Sequence, residues 1–329
     1  MISVAMAVYN GEQYITEQLD SIFHQERPVD EVVICDDRSN DRTAAIIETY
    51  QKTHDVPIRL LRNEKNLGYK LNFKKAMAAC RGDYIFLCDQ DDHWDRDKTK
   101  KMMQIMESRP DILVLASSFR YMDADDQVIE VKPLPGFSNN NLYTKPVEPG
   151  ALVQVHLEEF LTHNYFQGCA LVIRRSLCDE VLTHFTTRLH HDWLINLTAA
   201  RHEGMYFLNV PLFSYRIHNS NAVGVPAVNR THWERLKETN TMAIRTQLSE
   251  EGAATLQTLQ EIDPAFYHEH QKEFDDLADF YQKHTQYLQE GKFFKLLMQN
   301  RNPHYAELKT RNARIMDLIF VFENKFHRR

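Results

Sequence analysis

The stretch Phe86-Leu87-Cys88-Asp89-Gln90-Asp91-Asp92 places three carboxylates directly after an apolar run. That run, Tyr84–Cys88, predicts a buried β-strand, and a helical pattern resumes at Asp97–Glu107. In an open α/β sheet, ligands bind at the carboxyl ends of the strands. Crowded carboxylates repel one another unless a cation lies between them, and hard oxygen ligands suit Mg²⁺ or Mn²⁺. The stretch therefore predicts a metal site that receives substrate phosphates.

An alternative explanation is that Asp92 and Asp95 only cap the helix that follows, because acids favour the positive end of a helix dipole. Capping accounts for one or two acids, but it does not also account for Asp89 and Asp91.

The surrounding 120 residues alternate between apolar runs and helical patterns, which predicts an α/β fold with a mostly parallel, Rossmann-like sheet and helices on both faces. The predicted strands are Ile2–Val8, Glu31–Cys35, Ile58–Leu61, Tyr84–Cys88 and Ile112–Ser117. The predicted helices are Glu12–Gln25, which Asn10 is expected to cap, Arg42–Lys52, Lys70–Cys80 and Asp97–Glu107.

The pattern changes after residue 122. Prolines, glycines and asparagines predict a long loop over Asp123–Pro149. Beyond it, the sequence predicts a strand, two helices and two extended segments, followed by helices from about Thr231 nearly to the end. The segments are Cys169–Ile173, Ser176–His184, His191–His202, Met205–Asn209 and Leu212–Ile217. We therefore predict two domains, residues 1–225 and a helical C-terminal extension, residues 226–329.

The composition narrows the class of protein. The formal net charge of -7 argues against a general nucleic-acid binder. The five cysteines form no CxxC pair, which predicts small core residues in a reducing cytoplasm rather than disulfides or a zinc site. The sequence shows neither a basic-then-apolar leader nor an apolar run of about 18 residues. We therefore expect a cytoplasmic protein.

Small, polar or acidic residues follow four successive predicted strands, which predicts the rim of a pocket. They are Tyr9-Asn10-Gly11, Asp36–Thr43, Asn63–Gly68 and the Asp89–Asp92 cluster. An acid after the second strand suits a ribose hydroxyl or a base N–H, although Asp41 also fits a helix N-cap. No glycine-rich phosphate loop is present, so the phosphates of the ligand must be held otherwise, and a metal on Asp91 would do this.

Two polar clusters lie far downstream. His190-His191-Asp192-Trp193 enters a helix, where a lone Asp is more often a cap than a catalytic group. Tyr215-Arg216-Ile217-His218-Asn219-Ser220-Asn221 follows an extended segment. His218 is either a metal ligand or an ordinary surface histidine.

Taken together, these motifs resemble the family 2 inverting glycosyltransferases of the GT-A fold over about residues 2–224. The matching motifs are Ser3–Gly11, Val33–Thr43, Asn66-Leu67-Gly68, Asp89-Gln90-Asp91-Asp92-His93-Trp94 and His191-Asp192-Trp193. Asp-Gln-Asp-Asp-x-Trp, His-Asp-Trp and Tyr-Arg-x-His-x-x-Asn are most similar to the bacterial rhamnosyltransferase branch. His191 stands where the wider family usually has Glu.

The resemblance implies a role for each matching residue. Asp192 would be the catalytic base, and Asp89, Asp91 and His218 would hold Mn²⁺ or Mg²⁺. Gly168, His191 and Trp193 would contact the acceptor. The nucleotide-sugar site would comprise Val8, Tyr9, Asn10, Glu12, Asp36, Asp37, Asn66, Gly68, Lys70, Asp89, Gln90 and Arg216.

The function implied is metal-dependent, inverting transfer of a sugar from a dTDP- or UDP-linked donor to a glycan or lipid-linked acceptor. L-Rhamnose in cell-surface polysaccharide such as capsule or O-antigen is the favoured single prediction. The alternatives are a metal-dependent nucleotidyl- or phosphotransferase, and a catalytically silent nucleotide-sugar- or glycan-binding protein. The basic C-terminal helices are expected to pack on the catalytic domain or form a homo-oligomer, or else to contact the inner membrane leaflet peripherally.

Overall fold

The computed structural model describes residues 1–130, 143, 145–218 and 240–327, with the backbone alone for residues 324–327. Much of the predicted loop Asp123–Pro149, residues Asn219–Asn221 of the second polar cluster, and the start of the predicted helical region lie outside the described residues.

Within these ranges ten strands form a single sheet. They are β1 (Ile2–Val8), β2 (Glu31–Asp36), β3 (Ile58–Arg62), β4 (Tyr84–Cys88), β5 (His93–Trp94), β6 (Val114–Met122), β7 (Val128–Ile129), β8 (Leu152–Gln154), β9 (Leu171–Arg174) and β10 (Met205–Arg216).

The sheet has the order β3-β2-β1-β4-β9-β6-β10-β5, with β7 beside β6 and β8 beside β10. Its first four strands are parallel, which aligns the ends of β1, β2, β3 and β4 at one edge. β9 then runs antiparallel to both β4 and β6, and β6 pairs parallel with β10. The predicted α/β fold is confirmed, but the sheet is mixed, because β9 enters between β4 and β6 in the opposite direction.

Seven helices accompany the described strands. They are α1 (Ile15–Phe23), α2 (Thr43–Thr53), α3 (Tyr69–Ala79), α4 (Lys98–Ser108), α5 (Leu157–Phe160), α6 (Arg175–Thr183) and α7 (His191–Arg201). α1 shows why such segments are helical: Ile15, Leu19 and Ile22 fall on one face and are fully buried.

The expected cap of α1 was wrong. The helix begins at Ile15 with Tyr14 at the N-cap position, so Asn10 lies four residues too early to cap it. Asn10 instead has φ 50°, and its side chain accepts a hydrogen bond from the Asn40 N–H. It therefore forms the turn after β1, a conformation that Asn tolerates better than most residues.

β10 replaces two predicted extended segments. The strand is continuous from Met205 to Arg216, with irregular pairing to β6 around Pro211. Proline cannot donate to the ladder, so the pairing is interrupted there while the chain stays extended.

The chain divides into two compact units. In its described part, the first holds residues 1–130, 143, 145–157 and 166–218, and the second holds residues 158–165 and 240–327. The second unit has the predicted helical character. Its helices are α8 (Met242–Ile262), α9 (Pro264–Glu269), α10 (Gln271–Gln289), α11 (Phe293–Gln299), α12 (Pro303–Leu308) and α13 (Arg311–His327).

The second unit has a buried polar centre. The carboxylate of Asp317 accepts hydrogen bonds from Tyr305 (2.8 Å) and Lys309 (2.9 Å), and His284 Nε2 lies 3.2 Å away. These groups satisfy one another, as buried charges must. All five cysteines of the chain are free and buried. Among the described residues, no helix is both long and apolar enough to cross a membrane.

Candidate functional site

The predicted acidic cluster lies at the carboxyl end of β4, in the turn that leads to β5. Asp92 is fully buried, whereas Asp89 and Asp91 remain partly accessible. Burial, with the charges of Asp92 and Asp91, raises the pKa of Asp89 well above its usual value. Burial and the charge of Asp91 raise the pKa of Asp92 to about 7. A bound cation would reduce the electrostatic repulsion among these carboxylates.

Two sets of side chains here offer metal ligands. Ligand atoms of Asp89, Asp92 and Cys169 all lie within 4.8 Å of one another. Burial raises the pKa of the Cys169 thiol well above its usual value, so it stays protonated, and sulfur is a poor ligand for a hard cation. The second set centres on Asp91, whose Oδ2 lies 2.8 Å from His218 Nε2. Asp91 and His218 thus offer an oxygen and a nitrogen of the kind that Mn²⁺ or Mg²⁺ accepts, whereas the ligand atoms that converge are those of Asp89, Asp92 and Cys169.

Arg216, the last residue of β10, holds this acidic turn in place. Its backbone N–H donates to Asp92 Oδ1 (3.3 Å), and its Nε donates to the backbone carbonyl of Asp91 (2.8 Å). Its guanidinium also pairs with Glu17 of α1 (2.6 Å) and with Asp126. The side chain is fully buried. The N–H groups of the Arg216 guanidinium are thus directed at other groups of the protein.

Tyr14 connects Arg216 to His218. Its ring stacks on the His218 imidazole with 4.9 Å between centroids, and the Arg216 guanidinium lies 4.6 Å from its ring centroid. Aromatic stacking limits how an imidazole can rotate. Tyr14 therefore orients His218 towards Asp91.

The loop after β1 is joined to the acidic turn by Gln90. The Tyr9 backbone N–H donates to Gln90 Oε1 (2.8 Å), and Gln90 Nε2 donates to the Tyr9 carbonyl (3.0 Å). A Cβ on Gly11 would lie 2.4 Å from Gln90 Oε1, so a larger residue there would displace Gln90 from its bonds to Tyr9. The Tyr9 side chain is 48% exposed, as a stacking surface for a base would be. Glu12 Oε2 accepts from the Arg42 N–H (2.9 Å).

The two acids after β2 are buried and hydrogen-bonded. Asp36 accepts from the Ser39 N–H (2.9 Å) and from Arg62 Nε (3.1 Å). Asp37 donates its own N–H to the Val8 carbonyl.

The Asp37 carboxylate arranges the loop that follows β3. It accepts hydrogen bonds from Asn63 (2.8 Å), the Leu67 N–H (2.7 Å) and the Gly68 N–H (2.8 Å). Gly68 has φ 79°, a conformation that favours glycine. Asn66 Nδ2 reaches the Asp37 carbonyl at 3.4 Å. Asp37 therefore fixes the conformation of the loop after β3, which is part of the predicted pocket rim.

Asp192 lies in the first turn of α7, where its Oδ1 accepts the Trp193 N–H at 2.7 Å. Burial raises the pKa of Asp192 to about 6, against the backbone hydrogen bonds from Trp193 and Gly168 that lower it. The charge of Asp192 in turn helps to raise the pKa of Asp89, which places the two carboxylates in one electrostatic neighbourhood. Asp192 thus lies close enough to Asp89 for the two charges to interact.

His191 lies beside Asp192 and is buried. Its imidazole stacks on Phe73 with 4.0 Å between ring centroids. Burial lowers the pKa of His191 to about 3, so the ring is neutral. A Cβ on Gly168 would lie 2.7 Å from His191 Nε2, which explains the glycine. Trp193 is also buried, whereas Lys70 bonds the Thr187 carbonyl at 2.8 Å.

Lys98 was not predicted. Its side chain is fully buried, its Nζ donates to the Cys169 carbonyl at 2.7 Å, and it lies over the Trp94 and Phe213 rings. Burial lowers its pKa to about 8. The sequence contained a sign of this, because Lys98 precedes Met102 by one helical turn on the apolar face of α4. Nothing comparable marked Tyr14, Glu17 or Asp126.

Comparison with known proteins gives one family. Residues 3–182 match the family model described as "Glycosyl transferase family 2". The dTDP-rhamnosyl transferase RfbG of Shigella flexneri is 29% identical over 245 residues, covering 70% of this chain and 78% of its own length. An uncharacterised protein of Mycobacterium bovis is 36% identical over 127 residues, or 38% of this chain, and the match spans 36% of that protein.

Among solved structures, Staphylococcus aureus TarS 1-349 in complex with UDP-GlcNAc superposes with a TM-score of 0.57. The match covers 97% of this chain and 89% of TarS 1-349 at 17% sequence identity. At that identity the similarity concerns the fold.

Proposed function

Since the chain belongs to glycosyl transferase family 2, we propose that it transfers a sugar from a nucleoside-diphosphate donor to an acceptor hydroxyl, with inversion, in the synthesis of a cell-surface polysaccharide. One observation carries the proposal. The acidic turn after β4, the Asp91–His218 pair and the partly buried Asp192 occur together at one end of the sheet.

The donor would lie across the ends of β1, β2 and β4. The exposed Tyr9 ring offers a face for the base, and Asn10, Asp36 and Asn66 belong to the loops that follow β1, β2 and β3. Mn²⁺ or Mg²⁺, held by Asp91 and His218 beside Asp89, would supply positive charge that stabilises the diphosphate leaving group.

Asp192 would take the proton from the acceptor hydroxyl as that oxygen attacks the anomeric carbon. A carboxylate with a pKa of about 6 is a stronger base than an ordinary aspartate and is still mostly ionised at pH 7. Attack opposite the leaving group inverts the anomeric centre, and a second enzymic carboxylate is not needed as a nucleophile.

His191 and Gly168 support an acceptor site next to this base. The neutral imidazole has one N–H donor and one acceptor nitrogen, and within the described chain neither has a hydrogen-bond partner. Both nitrogens are enclosed by protein, and the proposal is that an acceptor hydroxyl reaching this site bonds one of them.

Arg216 has a different role in this proposal from the one that its position in the motif suggested. We assign it to positioning the acidic turn, because its donors are directed at Asp91, Glu17 and Asp126.

We propose a dTDP- or UDP-linked donor, with dTDP-L-rhamnose as the first candidate. RfbG is named a dTDP-rhamnosyl transferase, and TarS 1-349 was crystallised with UDP-GlcNAc; together they favour a pyrimidine nucleotide. The acceptor would be a glycan or a lipid-linked glycan.

A donor-hydrolysis screen over UDP-, dTDP- and GDP-sugars, with Mn²⁺ and with Mg²⁺, tests the proposal. We expect release of nucleoside diphosphate from a pyrimidine donor, loss of this activity in EDTA, and recovery on adding the ion. Release of monophosphate or pyrophosphate would instead indicate a nucleotidyl- or phosphotransferase. Full activity in EDTA would remove the metal role of Asp91 and His218.

The Asp91→Asn variant sharpens this test because it removes one charged ligand atom and little volume. We expect metal-dependent nucleotide binding to weaken at least about tenfold, the lower end of the loss seen for outer-shell partners of a metal. Asp97→Asn, at the start of α4, is the matched control and should bind like the wild type.

A further inference from the structure

Two helices of the second unit expose large apolar side chains. On α11, Phe294, Leu297 and Met298 are exposed, and their i, i+3, i+4 spacing places them on one face. On α13, Ile315, Ile319 and Phe322 are exposed at i, i+4, i+7 spacing. Phe294 is 76% exposed and Met298 is 62% exposed.

These two stripes form one surface, which we call the apolar patch. The opposite sides of α11 and α13 share a buried core containing Leu296, Phe320 and Val321. The Phe293 ring lies 5.6 Å from Phe294 and 6.3 Å from Phe322, centroid to centroid, and so joins the stripes. Contiguous exposed apolar surface on a folded protein marks an interaction site.

Positive charge accompanies the patch. Residues 290–323, whose side chains the structure describes, contain six Lys/Arg against four Asp/Glu, in a chain whose formal net charge is -7. Lys295 follows Phe294 on α11, and Arg311 lies one turn before Ile315 on the same face of α13; both are exposed. Lys309 and Asp317 are buried and neutralise each other, so they do not change the sign of this surface. The partner should therefore be anionic.

A second copy of the chain fits this surface less well. A twofold-symmetric contact brings the same patch of both copies together. That contact would bring Lys295 and Arg311 of both copies, four like charges, into one interface, and like-charge contacts oppose association. An anionic bilayer surface has the opposite character, because it accepts apolar side chains at the headgroup boundary and attracts cations beside them.

We propose that the apolar patch of α11 and α13 is a docking surface for anionic lipid membranes. Phe294, Leu297 and Met298, with Ile315, Ile319 and Phe322, enter the interfacial region, while Lys295 and Arg311 contact lipid phosphates. This peripheral binding is independent of the glycosyl transfer proposed above, since it uses neither nucleotide nor metal.

Flotation of the full chain with lipid vesicles tests the proposal. We expect binding to phosphatidylglycerol-containing vesicles, weak binding to pure phosphatidylcholine vesicles, and release by high salt. The double variant Lys295→Glu/Arg311→Glu should bind anionic vesicles at least about tenfold more weakly, since each cation near an anionic surface is worth about fivefold. The double variant Phe294→Ser/Met298→Ser should bind at least about tenfold more weakly as well, because it removes apolar side chains that enter the interfacial region. All four side chains are exposed, so circular dichroism and thermal unfolding should show folded proteins.

Matched controls change the same chemistry elsewhere. Val128→Ser removes an exposed apolar group from the first unit, and Lys52→Glu/Lys272→Glu makes the same charge change at two other exposed lysines. Both controls should bind vesicles like the wild type. The proposal is overturned if the wild type fails to bind anionic vesicles or if the patch variants bind normally. It is also overturned if sedimentation velocity shows that they only convert a dimer into monomers.

Discussion

At the scale of single residues, Asp192 separates chemistry from binding. Asp192→Asn keeps the size of the side chain and its ability to accept the Trp193 N–H, but it removes the basicity. We expect kcat to fall about 10²–10⁴-fold, the usual worth of general-base catalysis. The donor Kd should change less than about threefold, because no donor contact is lost.

The control for this prediction is a carboxylate at the start of another helix. Asp97 occupies that place in α4, and Asp97→Asn should leave kcat unchanged. If Asp192 were merely a helix cap, Asn would serve equally well. Near-normal kcat in Asp192→Asn would then remove it from the mechanism.

The raised pKa of Asp192 predicts a particular pH profile. The ionised form is the base, so activity should be lost as the pH falls through about 6, with kcat/KM decreasing tenfold per unit below that point. With the pKa of an ordinary aspartate, this loss of activity would occur at a pH about two units lower. Nucleotide binding measured over the same range shows whether the metal site also fails. If Asp192→Asn still loses activity over the same pH range, another group is responsible for the pH dependence.

At the scale of elements, Arg216 ties the end of β10 to the acidic turn and to α1. Arg216→Met removes a fully buried guanidinium, and leaving a buried partner such as the Asp91 carbonyl without its hydrogen bond costs about 1–3 kcal/mol. Urea unfolding should show this loss. Arg216→Lys should be less destabilised, but it should still weaken metal-dependent nucleotide binding, because an ammonium cannot reproduce the planar fork that holds the Asp91 carbonyl.

Arg109→Met is the comparison for this effect. It breaks the exposed Arg109–Asp111 pair, and exposed pairs contribute little to stability. An equal urea midpoint for Arg109→Met and Arg216→Met would contradict the structural importance given to Arg216.

The elements also show what the sequence could predict. Strands β1 and β4 lie where their apolar runs placed them, because a strand buried on both faces is a continuous apolar run. β10 was predicted as two segments, because Pro211 is a usual strand breaker and its tolerance depends on the neighbouring strand. Arg216 was located from its motif, but its partners come from α1 and from the β6–β7 turn. Pairings of that kind depend on the tertiary fold, so local sequence carries no sign of them.

At the scale of the whole molecule, the two compact units should respond to different ligands. Hydrogen exchange with UDP or dTDP and Mn²⁺ should show protection at the ends of β1, β2 and β4, in the first unit. Anionic vesicles should instead protect α11 and α13. At a nucleotide concentration of 100 Kd, binding should stabilise the folded state by about 2.7 kcal/mol, visible as a higher Tm. Protection of α11 and α13 by nucleotide alone would contradict this division.

The buried amine of Lys98 can report how often this part of the structure opens. A lysine with a pKa of about 8 is largely an unprotonated nucleophile in mildly alkaline buffer, yet Trp94, Phe213 and the Cys169 carbonyl surround it. An acylating reagent can modify it only while this edge of the sheet is briefly open. The rate of Lys98 acylation, measured by mass spectrometry and compared with that of the exposed Lys52, therefore reports how often the surroundings of Lys98 open. Ligands that bind and stabilise the site should slow the acylation of Lys98.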